Sequence, residues 1–210
     1  MASSMIHIAV ANEINKVLKH DESRLFIGTI APDISKHVGD DKKKSHFINS
    51  EENVPDLDSF CVKYKEHFDD DFVLGYYIHL YTDYLWEKYF ISQYYRHNYV
   101  KTFNDIYIIL PEEEKIRYIY NDYTNINIQL IDKYNLDLKI FYNELPEFEK
   151  TIEEIPMDKL KEIVDYTGVI VANSKENKTY MFDLDDVVQF IQTSVKLIIS
   201  DLTHLGIIKE

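Results

Sequence analysis

Apolar residues recur every three or four positions through most of the chain, the period of a helix packed along one side. In SMIHIAVANEINKVL, Ile6, Val10, Ile14, Val17 and Leu18 share one face, and Ser3 or Ser4 can cap a helix running to about Leu18. Asp21 opens a second helical stretch, DESRLFIGTIAPDI, which Pro32 stops. Residues 35–55 are polar and charged and read as a loop, and a loop of that length in a compact domain is functional or disordered. Asp56 begins DLDSFCVKYKEHF. A long helix is expected from about Asp70 to Arg96, with Val73, Leu74, Tyr77, Ile78, Tyr81, Leu85 and Tyr89 as its apolar positions. Residues 112–135 continue in helical style, with acidic side chains in the first turn where the helix dipole favours them. LPEFEKTIEEIP is a connector, MDKLKEIVDYT a further helix, and Asn173 to Lys178 a polar turn. Asp183 caps a final helix, LDDVVQFIQTSVKLIISDL. No internal repeat, heptad run or sharp linker interrupts the pattern, so the expected fold is all-α, a multi-helix bundle forming a single domain over residues 1–210.

Composition narrows this further. A chain of 210 residues is long enough for one sizeable core, and the hydrophobic fraction of 45% and charged fraction of 29% are ordinary for a globular protein. Gly and Pro number only five each, which favours long helices over a many-turned β-sandwich. The formal charge is −14, and no basic cluster is longer than Lys42-Lys43-Lys44. So acidic a surface repels phosphate backbones, which argues against nucleic-acid binding driven by basic patches but not against a nuclease that uses metal ions. The single Cys61 excludes an internal disulfide framework and a Cys-rich zinc site. No basic n-region precedes a long apolar run at the start, and no window approaches a transmembrane segment, so a cytoplasmic protein is expected.

The candidate chemistry lies in the histidines, eight in number. His20, His37, His67, His97 and His204 have charged or polar neighbours and read as surface residues. His7, His46 and His79 lie on or beside apolar helix faces. In GYYIHLYTDYLWEKYF, His79 and Asp83 are four apart and project from one helical face, with Trp86 and Phe90 extending the stripe. Two readings stand: a hydrogen-bonded pair that packs under aromatics, or a pair of metal ligands, since a buried carboxylate is costly unless paired or coordinated. Asp33 follows Pro32 at the end of a helical stretch, where the dipole disfavours a carboxylate and calls for a positive partner. His46 follows the Lys run, where an exposed loop histidine is the plain reading. Together, His7, Asp33, His46, His79 and Asp83 form a mixed imidazole and carboxylate set whose chemistry suits zinc, and also iron or manganese.

The order IHIAVANEI, FIGTIAPDI, SHF and GYYIHLYTD resembles the zinc-dependent phospholipase C family, related in fold to the S1/P1 nucleases, over roughly residues 3–95. The resemblance implies an all-α bundle with zinc ions that hydrolyses phosphodiesters or phosphomonoesters. It divides the chain into a metal-site half at about 3–96 and C-terminal helices at 112–205. It also implies that Asp33, His46, His79 and Asp83 hold one metal, with His7 holding a second that Asp83 bridges. Asp33 is then the catalytic residue that orients or deprotonates a metal-activated water. The family's processed N-terminal Trp and its later H…HxxxE ligand set have no counterpart here, which limits the chain to one or two zinc ions. The implied substrate is a small phosphoester or a phospholipid-like molecule.

Two other functions remain open. One is a non-catalytic helical protein that keeps the fold and a metal. The other is an HD-type phosphohydrolase, for which His20-Asp21 in a charged turn is the sole adjacent His-Asp pair. Asp122 and Asn125, near one turn apart on a Tyr-rich helix, read either as a polar helix face or as residues reaching the site, and Tyr118, Tyr120 and Tyr123 as core and interface.

Overall fold

The structure, a computed structural model, describes residues 1–35, 39, 42–96, 99–148 and 152–208. Helix α1 spans Ser4–Leu18, with the Ser3 hydroxyl accepting from the Ile6 amide, and ends where Lys19 turns into the left-handed region. Its first half is buried on every side, Met5 through Ala11 without a break, so α1 is the central helix rather than a one-sided surface helix. Val17, expected on the apolar face, is exposed because the helix has left the core by that turn.

Helix α2 (Glu22–Ile30), capped by Asp21, crosses helix α5 (Asp71–Leu85), capped by Asp70, backbone against backbone. Two glycines permit the approach. A Cβ on Gly28 would lie 2.1 Å from the Phe72 carbonyl oxygen, and one on Gly75 would lie 2.1 Å from that of Leu25. A 3₁₀ turn over Ala31–Ile34 carries Pro32 and Asp33 out of α2. The stretch read as loop contains the one-turn helix α3 (Lys42–Ser45) and a bridge from Ile48 to Pro55, followed by α4 (Leu57–Tyr64), which Asp56 caps.

The long helix expected to Arg96 ends at Leu85. A π turn over Trp86–Phe90 follows, then a 3₁₀ turn at Ile91–Gln93. Beyond it the chain forms a small antiparallel sheet of strands β1 (Tyr95–Arg96), β2 (Tyr99–Lys101) and β3 (Tyr107–Ile109), with Val100 opposite Ile108. The protein is therefore mostly helical, with one small sheet where β-branched and aromatic residues cluster. Helices α6 (Glu112–Tyr134) and α8 (Leu184–His204) pack on α1, α7 (Leu160–Ala172) packs against α6 and the Ala31–Ile34 turn, and Asp183 with Asp186 forms a capping box on α8. Among the described residues, no helix is long and apolar enough to cross a membrane.

Asp122 and Asn125 have a role neither expectation named. The buried Asp122 carboxylate accepts from the amides of Tyr180, Met181 and Phe182 at 2.8, 2.7 and 3.2 Å, and Asn125 Oδ1 accepts from the Asn177 amide. They tether the α7–α8 connector to α6, supplying acceptors to a segment without a strand or helix partner. Tyr123 is buried, Tyr118 stacks on Tyr180, and Tyr120 is exposed.

Candidate metal centre

The α2–α5 crossing sets the geometry of a buried cluster. His79 lies one turn past Gly75, and its Nδ1 is 2.7 Å from the Thr29 carbonyl oxygen, one residue past Gly28. A carbonyl only accepts, so Nδ1 carries the proton and Nε2 presents a lone pair inward. His46, in the turn after α3, is fixed in the same way: its Nδ1 lies 3.2 Å from the Lys42 carbonyl and 2.9 Å from the Ser45 hydroxyl. That hydroxyl is also 3.0 Å from the Pro32 carbonyl, and Tyr76 donates to the Ser45 carbonyl. The turn bearing His46 is thereby pinned to the turn bearing Asp33 and to α5. Phe47, with φ 49°, ends α3 and packs its ring against Phe60, Tyr64 and Tyr76.

All five expected residues are buried, His7, His46, His79 and Asp83 completely and Asp33 to within 4%. His46 Nε2 lies 3.2 Å from His79 Nε2, 3.4 Å from Asp33 Oδ1 and 3.7 Å from Asp83 Oδ2, and His79 Nε2 is 3.4 Å from the same Asp83 oxygen. Four ligands bonded tetrahedrally at about 2.0–2.1 Å stand about 3.3 Å apart, so these separations match the edges of such a site. His7 stacks on His79 with ring centroids 3.9 Å apart, and its Nε2 lies 3.3 Å from the other oxygen, Asp83 Oδ1, which also accepts from the Ala2 amide at 2.8 Å. Both ring nitrogens of His7 and Asp83 Oδ2 lack a hydrogen-bond partner.

The electrostatics are unbalanced without a cation. Burial pushes the His7 imidazole down to about 4 and also lowers that of His46, so both are neutral at pH 7. Burial alone would raise the Asp83 carboxyl, but the His7 and His79 rings beside it outweigh that and hold it well below the usual carboxylate range. The result is an ionised carboxylate facing imidazole lone pairs. Two such lone pairs pointed at each other across 3.2 Å repel unless a proton or a metal ion lies between them. The packed-pair reading of His79 and Asp83 fails here, because their 3.4 Å approach is no hydrogen bond and His79 spends its proton on Thr29. Two overlapping groups can hold a metal ion: Asp33, His46 and His79, and His7, His79 and Asp83. His79 has only Nε2 to offer, so it serves one of them.

His20, His67 and His204 lie apart from the cluster. His20 is half-buried and bonded to Asp71, while Asp21 caps α2, so the adjacent His-Asp pair is occupied structurally. His67 and His204 are exposed, and His37 and His97 lie outside the described residues. The carbonyls of Thr29 and Lys42, the Ser45 hydroxyl and the Ala2 amide went unseen in the sequence, since backbone groups have no residue signature. The isolated glycines inside two helical patterns were the available signal of a close approach.

A cavity of about 790 Å³ opens beside the cluster, with Asp33 on its wall, between the first residues of the chain, the end of α5, α6 and α7. Searches of protein-family models, of curated proteins and of solved structures return no match to this chain.

Proposed function

We propose that the protein is a metal-dependent hydrolase of phosphodiesters or phosphomonoesters, with the architecture of the zinc-dependent phospholipase C and S1/P1 nuclease fold. The observation that carries this reading is the cluster of Asp33, His46, His79 and Asp83, whose buried imidazole nitrogens and carboxylate oxygens face one another at ligand-edge distances. These four would hold one ion, and His7 with Asp83 Oδ1 would contribute to a second. A donor set of imidazoles and carboxylates suits zinc best, with iron or manganese as further candidates. A bound ion there supplies charge neutralisation on phosphoryl oxygens and makes a nearby water more acidic.

The chain's own groups do the rest. Thr29, Lys42 and Ser45 hold the two imidazoles in the ligating tautomer. Asp33 belongs to both the cluster and the cavity wall, where its carboxylate can orient a water and take its proton. The buried aromatic wall of Tyr76, Trp86 and Phe90 excludes bulk solvent from one side.

Protein purified without a histidine tag should contain stoichiometric metal by elemental analysis and hydrolyse p-nitrophenyl phosphate or bis(p-nitrophenyl) phosphate. His79→Ala and Asp83→Asn should abolish both. Wild-type protein that stays metal-free after incubation with zinc rejects the metalloenzyme. Metal retained without turnover would favour the non-catalytic alternative, whose support is that the second site has only two side-chain ligands and that the Ala2 amide already bonds Asp83 Oδ1.

A further inference from the structure

The cavity beside the cluster carries an imbalance of charge. Asp33 and Glu87 both line it, in a chain whose net charge is −14, so an anion approaching the cluster meets a repulsive field. A divalent ion held by Asp33 and Asp83 would be neutralised by those carboxylates, with no positive charge left to meet a phosphoryl group. The Met1 amine, also on the wall, is paired with Glu87. Among the described residues lining the cavity, Lys42 has the one cationic side chain.

The backbone of Lys42 is tied to the cluster. Its carbonyl oxygen lies 3.2 Å from His46 Nδ1 and 3.3 Å from the Ser45 hydroxyl, which also stands 3.0 Å from the carbonyl of Pro32, the neighbour of Asp33. The side chain is exposed, and its flexible four-carbon stem lets the ammonium follow an incoming anion. Lys43 and Lys44, next in the same helical turn, do not line the cavity. Resting on the phosphoesterase reading, we propose that Lys42 anchors the phosphoryl group, donating to an oxygen that a metal ion at the cluster does not hold. The site then selects its ligands by oxyanion charge, and Lys42 acts as a substrate-binding residue whose side chain and backbone have separate tasks. The ammonium meets the ligand, while the carbonyl fixes the imidazole of His46.

Zinc-loaded wild type, Lys42→Gln, Lys42→Arg and Lys44→Gln are titrated calorimetrically with inorganic phosphate, and with imidazole as a neutral ligand for the metal. In parallel, kcat/KM is measured on p-nitrophenyl phosphate. Each variant keeps the backbone carbonyl at position 42 that holds His46, so zinc content should be unchanged. Loss of a charge-assisted contact in Lys42→Gln should weaken phosphate binding about 10–100-fold and leave imidazole binding as it was. Lys42→Arg keeps the charge and should bind phosphate more tightly than Lys42→Gln. Lys44→Gln removes a screened surface charge and should stay within about threefold of wild type. Phosphate affinity unmoved by Lys42→Gln, or lowered equally by Lys44→Gln, overturns the proposal. So does a loss of imidazole binding as large as the loss of phosphate binding. Phosphate binding that depends on Lys42, in a wild type that hydrolyses nothing, sinks the phosphoesterase reading and leaves the anchor standing. Hydrolysis indifferent to Lys42→Gln does the reverse.

Discussion

Gly75→Ala tests how the fold builds the site, because the change lies outside the cluster. The new Cβ would stand 2.1 Å from the Leu25 carbonyl oxygen and 3.0 Å from the Thr29 nitrogen, and both are backbone atoms that no rotamer change can move. Helices α2 and α5 must then part by about 1 Å, since interiors have no slack to absorb the contact. Overpacking of this kind costs about 3 kcal/mol, the upper end of the usual range, and the better helix propensity of alanine returns about 1 kcal/mol. The net loss of about 2 kcal/mol lowers Tm by roughly 4–8 °C in a chain of this size. The same displacement stretches the 2.7 Å bond from His79 Nδ1 to the Thr29 carbonyl, which sits on the turn being pushed away. Loss of such an outer partner lowers metal affinity about 10–100-fold. Thermal melts followed by circular dichroism and zinc titration against a competing chelator measure the two effects on one sample. A variant with unchanged Tm and unchanged zinc affinity would refute the claim that this crossing sets the tautomer and position of His79. A lower Tm with intact affinity would refute only the coupling to the site.

Three further outcomes are expected. Asp83→Asn should lower zinc content and, in the presence of chelator, lower Tm as well, because the folded site holds this carboxyl below its ordinary range and so favours its charged form; a raised Tm in chelator contradicts this. Asp122→Ala should cost about 3 kcal/mol in denaturant unfolding by depriving three backbone amides of their acceptor, with zinc content preserved. Metal-free protein should lose stability as pH falls from about 6.5 toward 4, because the unfolded chain takes up a proton that folded His7 refuses, about 3 kcal/mol over that window by linkage. His46, lowered in the same direction, adds to the loss, and Gln at position 7 should flatten the slope in a pH series of melts.

Helices α1, α2, α4, α5 and α8 were legible because they carry their own start signals, the caps Ser3, Asp21, Asp56, Asp70 and Asp183, whereas α6 and α7 begin without a side-chain cap. The cluster was legible for a related reason. His79 and Asp83 share a helix face by spacing alone, and Asp33 is placed by Pro32. Position in the bundle was not legible. An amphipathic reading of α1 assumes a solvent side, and a helix surrounded by α2, α5, α6 and α8 has none over its first half. The end of α5 was missed because Trp86 to Phe90 continues the apolar pattern while the backbone widens into a π turn, a change in hydrogen bonding that side-chain periodicity does not encode. The little sheet after it lies in strands of two or three residues, too short for an alternation to register.

With a single cysteine, this chain has no means of tying distant segments together covalently within itself. The cluster offers a substitute. Asp33 and Asp83 enclose a loop of about fifty residues, and joining the ends of a loop that long restricts the unfolded chain by about 4 kcal/mol in the entropy account used for disulfides. An ion held between them would act as a removable clasp, fastened or loosened by the concentration of free metal rather than by an oxidant. Resistance to proteolysis across residues 33–83 would then track the metal supply of the surroundings, and the protein's lifetime would carry a record of it.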